Sequence, residues 1–592
     1  MENLKINIKK ILLILSAVFA TYGVEAAYNI GQKQVNEANK FINVIILIIM
    51  IYVYKKIEFN LKNKRTIIIL TIISALFSLI VIIGGQLEYN GEIIWNFVTL
   101  LQIISLTFSI YPVIYFIFEW LEKSRITINE CQHIWIKSFI PIFLCGILGF
   151  LAVYPGVYGY DAGFQIMEFF KEDVQLTSHF SIIYSAILSG IVYLGKILFN
   201  SYQTGFAIYS FLQMTFLSYV SSKVCMFCVK RLKNRYLFYL SILFYCIYPL
   251  YMIITVSSCQ DAIFGGLFTL ITLNLIKLVE EKKYFEKKSN IVLLVLEVFL
   301  LCLFRNNGIY CILFVIIILL FIKIPKKYIV VCCMVFSIIL VKIVTGPLYN
   351  YLNVYNKSPI QEMSSIPSQQ LARVYAYNKE VYSQEDLIEL NKCYDVDGFK
   401  YYIYNQSISD ASKASINVEY VKSNLTNYLS LWLKIGLKDP KDYVEAFLLN
   451  NLGLWYPNKN YYDSRMYHPY VEYKMLDAKA FNENYIEITR DSKFELYNNL
   501  LQKILVDNYW EKFPVISTLF TSGTYFLIFV FLVFFVVYQK NYNLFIPISF
   551  IAGLYITLFL APVSLFRYNF SICMIIPIMI SLILKNKVNK DN

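Results

Sequence analysis

Residues 66–83 read TIIILTIISALFSLIVII, eighteen positions without a charge. A helix needs roughly 20 predominantly apolar residues to cross the ~30 Å hydrocarbon layer of a bilayer. FINVIILIIMIYVY (41–54) and TYFLIFVFLVFFVVY (524–538) repeat the pattern. Across the whole chain of 592 residues, 58% are hydrophobic and only 16% charged, with a mean hydropathy of +0.55. An average soluble domain carries about 25% charged residues, and no single core absorbs such a deficit over this length. The sequence therefore predicts an all-α, polytopic transmembrane helix bundle embedded in a lipid bilayer.

The net charge of +13 does not point to nucleic acid, because the basic residues cluster in short loops between apolar runs, as the positive-inside rule expects. Those loops lie at 55–65, 230–235, 282–288, 323–327 and 585–590. Spans are expected near 10–27, 41–54, 66–85, 96–120, 138–153, 205–229, 236–256, 263–279, 291–304, 309–324, 328–346, 514–538, 543–561 and 570–584. This is about 14 spans with both termini cytoplasmic, in the plasma membrane. MENLKINIKK followed by ILLILSAVFA resembles a signal peptide but lacks a clear cleavage site, so it reads as an uncleaved first span. Residues 179–199 are apolar enough to cross, yet a full crossing would put 230–235 outside. They are expected to be re-entrant or juxtamembrane.

Four regions follow: an N-terminal transmembrane region (1–136), a transmembrane core (137–346), a polar segment (347–512) and the C-terminal spans (513–592). The polar segment shows helical periodicity in NLTNYLSLWLKIGL (424–437). DPKDYVEAFLLNNLG (439–453) looks like a capped helix ending at Gly453. No run alternates like a strand. A mainly helical extracytoplasmic domain is expected, packed over the outer mouth of the bundle. Of the twelve cysteines only Cys393 lies in this segment, so no internal disulfide staples it. Cys225 and Cys228 form a CxxC, but no second pair or nearby histidine completes a zinc site.

The charge topology gathers several chemically capable residues on the outer face. The loop YPGVYGYDAGFQ (154–165) follows a span and holds Tyr158, Tyr160, Asp161 and Gln165. Beside aromatic rings, a surface carboxylate suits a general base or a metal ligand. The plainer reading is an interfacial aromatic belt. Asp261 stands at a span boundary in TVSSCQDAIFGG, where an acid needs a partner or a watery cavity; capping the next span is the alternative. Arg305 in LFRNNGIY, with Asn306 and Asn307, and Arg567 in APVSLFRYNF suit bidentate binding of a phosphate, or snorkelling to lipid phosphates. His179 opens the segment 179–199, and with three scattered histidines a multi-histidine metal centre is not expected. QEMSSIPSQQLARVY (361–375) offers Gln370 and Arg373 as substrate contacts. WYPNKNYYDSRMYHPY (455–470) is dense enough in aromatics to line a sugar groove; for both stretches plain surface structure is the equal alternative.

Taken together, YPG-x-x-x-YDA-x-x-Q, the Asp-bearing span start, RNNG, SIPxQQxARV and the late RY pair resemble an uncharacterised bacterial membrane-protein family. That family is in turn similar to the GT-C glycosyltransferases. The resemblance covers about residues 138–580. It implies a GT-C-like fold and transfer of a sugar from a polyprenyl-phosphate donor to an extracytoplasmic glycan or cell-envelope acceptor. Asp161 and Asp261 match the two outer-loop acids, assigned as catalytic, and Arg567 the late arginine near the donor phosphate; on its own chemistry Arg305 is assigned to the same phosphate site. A divalent cation (Mg or Mn) at Asp161 is the one cofactor the resemblance leaves room for. Where the family pattern places a second histidine and a proline after His179, this chain has Phe180 and Ser181. The competing expectations are a transporter or flippase of a lipid-linked or anionic substrate, and a non-catalytic partner in surface-polymer assembly.

Overall fold

The computed structural model describes residues 2–30, 38–57, 64–123, 132–170, 175–355, 358–457 and 486–584. Within them the chain is helical, and its only strand-like pairings are isolated bridges. Helices α1 (Glu2–Tyr28), α2 (Ala38–Lys56), α3 (Lys64–Asn90) and α4 (Phe97–Lys123) form the N-terminal group. The central bundle contains α5 (Ile134–Ala152), α6 (Tyr160–Phe170), α7 (Ile182–Phe199), α8 (Tyr202–Leu232), α9 (Arg235–Ile247), α10 (Pro249–Thr255), α11 (Gln260–Glu280), α12 (Lys288–Phe304), α13 (Asn307–Phe321) and α14 (Lys327–Tyr351). The polar segment is built mainly on α15 (Ser365–Tyr377), α16 (Gln384–Cys393), α17 (Leu425–Lys438) and α18 (Pro440–Asn450). Then α19 (Glu495–Leu505) leads back to the bundle, which α20 (Ser522–Gln539), α21 (Phe545–Phe559) and α22 (Phe570–Ile583) complete.

Among the described residues, eleven helices are long and apolar enough to cross a membrane, or twelve when α9 and α10 count as one bent span. The chain is thus organised as a multi-pass membrane protein. The 61° bend falls at Tyr248, whose backbone is extended. The ring of Pro249 disfavours helical geometry in the residue before it and fits the first position of the helix that follows.

The disputed segment is α7. Asn200, in the left-handed region (φ 52°), ends it, and Ser201 caps α8 by accepting the Thr204 amide. The resulting hairpin is tight. A Cβ on Gly195 would lie 2.2 Å from the Gly205 Cα, so only glycine permits the approach. By length and composition α7 could cross a membrane. The Tyr184 hydroxyl near its start bonds the Tyr209 hydroxyl near the start of α8 (2.7 Å), and the next residue, Ser210, lies against Gly156 in the loop after α5. The start of α7 is therefore held against the first third of α8, on the side of the turn away from Lys230 and Arg231.

The polar segment does not fold as one body. Residues 358–457 have their own apolar core, with Leu371, Leu390, Phe399, Leu431 and Ile435 among its buried members; we call this part the polar domain. Residues 486–512 belong to the bundle instead. The Asp491 and Lys493 amides bond the carbonyls of Tyr154 and Leu151 (both 2.8 Å), and Leu501, Leu505 and Trp510 enter the bundle core. The helix expected to end at Gly453 stops at Asn450. Asp439 caps it and Pro440 opens it, and Gly453 falls in the next short turn, Leu452–Trp455.

Arg373 joins the polar domain to the α3–α4 turn. Its guanidinium bonds Asp442 (3.1 Å), Glu445 (2.6 Å) and the Gly91 carbonyl (3.0 Å). Glu445, fully buried, also accepts the amide of Ile93 (2.8 Å) and the indole of Trp95 (3.3 Å). Burial pushes the Asp442 carboxyl up from its ordinary 3.8 to about 6, against the pull of Arg373. A raised acid binds more protons folded than unfolded, so its stabilising contribution is full below about 3.8 and lost as pH rises through about 6. We predict that Arg373→Met costs roughly 3–5 kcal/mol at pH 7.5, because it strands two buried carboxylates, and that the loss shrinks towards pH 5. Amide exchange of α15 at the two pH values measures both effects; a pH-independent loss would show that the stranded acids are not its cause.

Candidate functional site

The loops after α5 and α10 are zipped together. Val157 pairs with Ser257 in a parallel bridge: the Val157 amide bonds the Val256 carbonyl (2.9 Å), and the Ser258 amide bonds the Val157 carbonyl (3.0 Å). The Ser258 hydroxyl accepts the Gly159 amide (2.9 Å). Gly156 makes this possible, since at φ +130° a Cβ would lie 2.2 Å from the Ser210 Oγ. Beyond the bridge both chains turn alike. The Ala162 amide reaches Gly159 and the Ala262 amide reaches Cys259, each at 3.1 Å. Asp161 and Asp261 consequently sit in the first turns of α6 and α11. Asp261 is not the cap of α11, which is Cys259; two residues further in, it still faces the positive end of the helix dipole.

Two arginines come to meet these acids. Arg305 is the residue at which α12 ends, and its guanidinium pairs with Asp261. Arg567, in the 3-10 turn Phe566–Asn569, donates from Nη1 to Asp161 Oδ2 (2.7 Å). Both guanidiniums share one ring: their central carbons lie 4.8 Å and 5.2 Å from the Tyr568 centroid. Arg305 also feels the charges of Arg567 and Asp161. Two acids and two arginines thus form one neutral cluster with side chains only 5–25% exposed. An aromatic face attracts each cation while the carboxylates offset the repulsion between them.

The other expected contacts are placed as follows. Tyr158 is buried with its ring edge-on to Phe206. Gln165 is buried on α6, one helical turn after Asp161; the Tyr160 side chain lies outside the described residues. His179 is exposed in a turn, its ring against Phe180. Asn306 is exposed, whereas Asn307 joins α13 to α21 by bonding Thr557 (3.0 Å). Gln370 and Arg373 are committed inside the structure: Gln370 bonds the Tyr443 carbonyl and the Trp432 indole (3.1 and 2.9 Å), and Arg373 forms the joint described above. In the aromatic stretch 455–470, Trp455 is buried and residues from 458 onward lie outside the described ones. Tyr568 is the site residue that sequence reasoning missed. Its signal was adjacency to Arg567, but its role depends on Arg305 arriving from a distant helix.

The donor set does not fit a divalent ion. Each acid already faces a guanidinium, and among the described residues no three His, Cys, Asp or Glu side chains converge. Apolar space lies nearby. A cavity of about 860 Å³ runs between α8, α9, α19, α20 and α22, with Leu240, Phe244, Leu500, Ile528 and Ile576 in its wall. Tyr525 also lines it, and its ring packs on Phe566 (5.9 Å), the neighbour of Arg567 in sequence. We predict that Tyr568→Leu destabilises the protein by ~1–2 kcal/mol through loss of two cation–ring contacts, while Tyr568→Phe stays near wild type. Thermal unfolding in detergent compares them, and equal losses would shift the role from ring to hydroxyl.

No curated protein and no solved structure matches this chain. One family model does, over residues 171–592, and its description is a family of unknown function (DUF6020). The matched region begins after Asp161, later than the 138 expected, and takes in Asp261, Arg305 and Arg567. With most of its length inside that match, the chain belongs to the DUF6020 family.

Proposed function

We propose that this protein is a GT-C-like glycosyltransferase of the plasma membrane, moving a sugar from a polyprenyl-phosphate donor to an extracytoplasmic acceptor. The observation that carries the reading is the Asp161–Arg567 and Asp261–Arg305 cluster on Tyr568, together with an apolar cavity whose lining residue Tyr525 packs on Phe566, the residue before Arg567. Arginines suit phosphate oxygens, and the cavity suits an isoprenoid tail. In this reading the bundle has fourteen spans, both termini are cytoplasmic, α7 stays at the outer boundary, and the polar domain is extracytoplasmic.

The donor phosphate draws Arg567 away from Asp161, which frees the carboxylate. An acceptor hydroxyl oxygen then attacks the anomeric carbon and its proton passes to Asp161. The bond from that carbon to the phosphate oxygen breaks, its electron pair leaving with the phosphate. Arg305 and Arg567 stabilise the charge that develops there. Asp261 holds Arg305 in place.

Asp161→Asn keeps the shape and loses the base. It should reduce transfer by roughly 100-fold or more without altering membrane insertion. Protein in nanodiscs, given radiolabelled polyprenyl-phosphate sugars and cell-envelope acceptors, is the assay. Wild-type turnover by the variant refutes the base; no turnover by either protein with any donor refutes the enzyme and favours transport. Ile528→Trp, which narrows the cavity, should raise KM for a long-chain donor several-fold and leave a short-chain donor unaffected. Equal effects on the two would place the tail elsewhere.

A further inference from the structure

The segment 560–569 carries the chain from α21 to α22 and holds Arg567 in its last turn. Carbonyls at a helix end need partners from outside the helix. Here the polar domain supplies them. Asn451 Nδ2 bonds the Phe559 carbonyl (3.0 Å) and Asn450 Nδ2 the Ala561 carbonyl (3.1 Å). The Ser409 amide and hydroxyl both bond the Pro562 carbonyl (2.9 and 3.2 Å). Ile408 and Val563 form an antiparallel bridge, and the Ser564 hydroxyl returns a bond to the Asn450 carbonyl (3.3 Å). Asn450, Asn451 and Ser409 are at most 1% exposed, so water cannot replace them.

The opposite half of the ion pair is tied to the root of the same domain. On α6, which carries Asp161, Glu168 accepts the Thr177 hydroxyl (2.9 Å). Thr177 pairs with Tyr355 just after α14: the Ser178 amide bonds the Tyr355 carbonyl (3.0 Å) and the Tyr355 amide bonds the Leu176 carbonyl (2.8 Å). Gln175 bonds the Asn353 carbonyl (3.0 Å).

We infer that the polar domain sets the separation of Asp161 and Arg567, with Asn450 and Asn451 as positioning residues that act through the Arg567 segment. Movement of the domain on its root parts the ion pair and opens the guanidinium to an anionic head group. The donated N–H is what matters. An aspartate at either position keeps the volume but turns an oxygen towards a carbonyl oxygen, which repels it.

The experiment uses the full chain in nanodiscs and two readouts. Amide exchange follows residues 560–569, and binding is measured for farnesyl phosphate and, as the neutral control, farnesol. The Asn450→Asp/Asn451→Asp double variant should exchange about tenfold faster in 560–569, the scale of a lost buried hydrogen bond, with α15 and the latter half of α22 unchanged. Its affinity for farnesyl phosphate should fall about tenfold and that for farnesol should not change. A fold loosened in general would weaken both ligands alike, which overturns the inference, as does unchanged exchange in 560–569. If the double variant does not fold, Ser409→Ala with Ser564→Ala should give the same pattern at a few-fold, and its absence overturns the inference. Only the binding arm rests on the proposed function: a wild type that binds farnesyl phosphate no better than farnesol defeats the donor-phosphate reading, while the exchange arm still decides the positioning role.

Discussion

Four charges in a poorly hydrated pocket cannot stand alone, and the pairing of Asp161 with Arg567 and Asp261 with Arg305 around Tyr568 is the constraint the central bundle satisfies. Taking an ion out of water costs several kcal/mol unless a partner and hydrogen bonds meet it. The four segments that carry these residues come from widely separated parts of the chain. The Val157–Ser257 bridge fixes the two acids relative to each other. The end of α12 and the turn before α22 fix the arginines. In a neutral cluster of this kind each ion meets the partner that offsets its desolvation.

The same end of the molecule explains the placement of the polar domain. Its buried asparagines accept the duty of closing α21, and its root holds the strap behind α6. Arg373 and Glu445 anchor it from another side, on the α3–α4 turn. Three attachments tie the domain to different parts of the bundle. The N-terminal helices thereby gain a mechanical link to the site without contributing a residue to it.

The hairpin of α7 and α8 shows how composition and geometry diverge. Eighteen residues rich in isoleucine and leucine are long enough to cross a bilayer, and length alone says nothing of direction. Tyr184 on Tyr209, the Gly195–Gly205 contact and the turn at Asn200 fold α7 back along the first part of α8.

Much was determined by the sequence alone. Apolar runs and sparse charge required a helical membrane bundle, because an unpaired backbone is not tolerated in hydrocarbon. Charged residues at span ends marked Asp161, Asp261, Arg305 and Arg567, because each is costly where it stands. Tertiary structure decided who meets whom. Sequence could not reveal that Arg567 faces Asp161 and Arg305 faces Asp261, that Tyr568 lies under both arginines, or that Gln370, Arg373 and Asn307 serve packing. Nor could it show that α18 stops at Asn450 so that two amides can reach α21. Those facts depend on distances between residues tens to hundreds of positions apart, and periodicity and composition carry only the local, one-dimensional part of the energy that sets them.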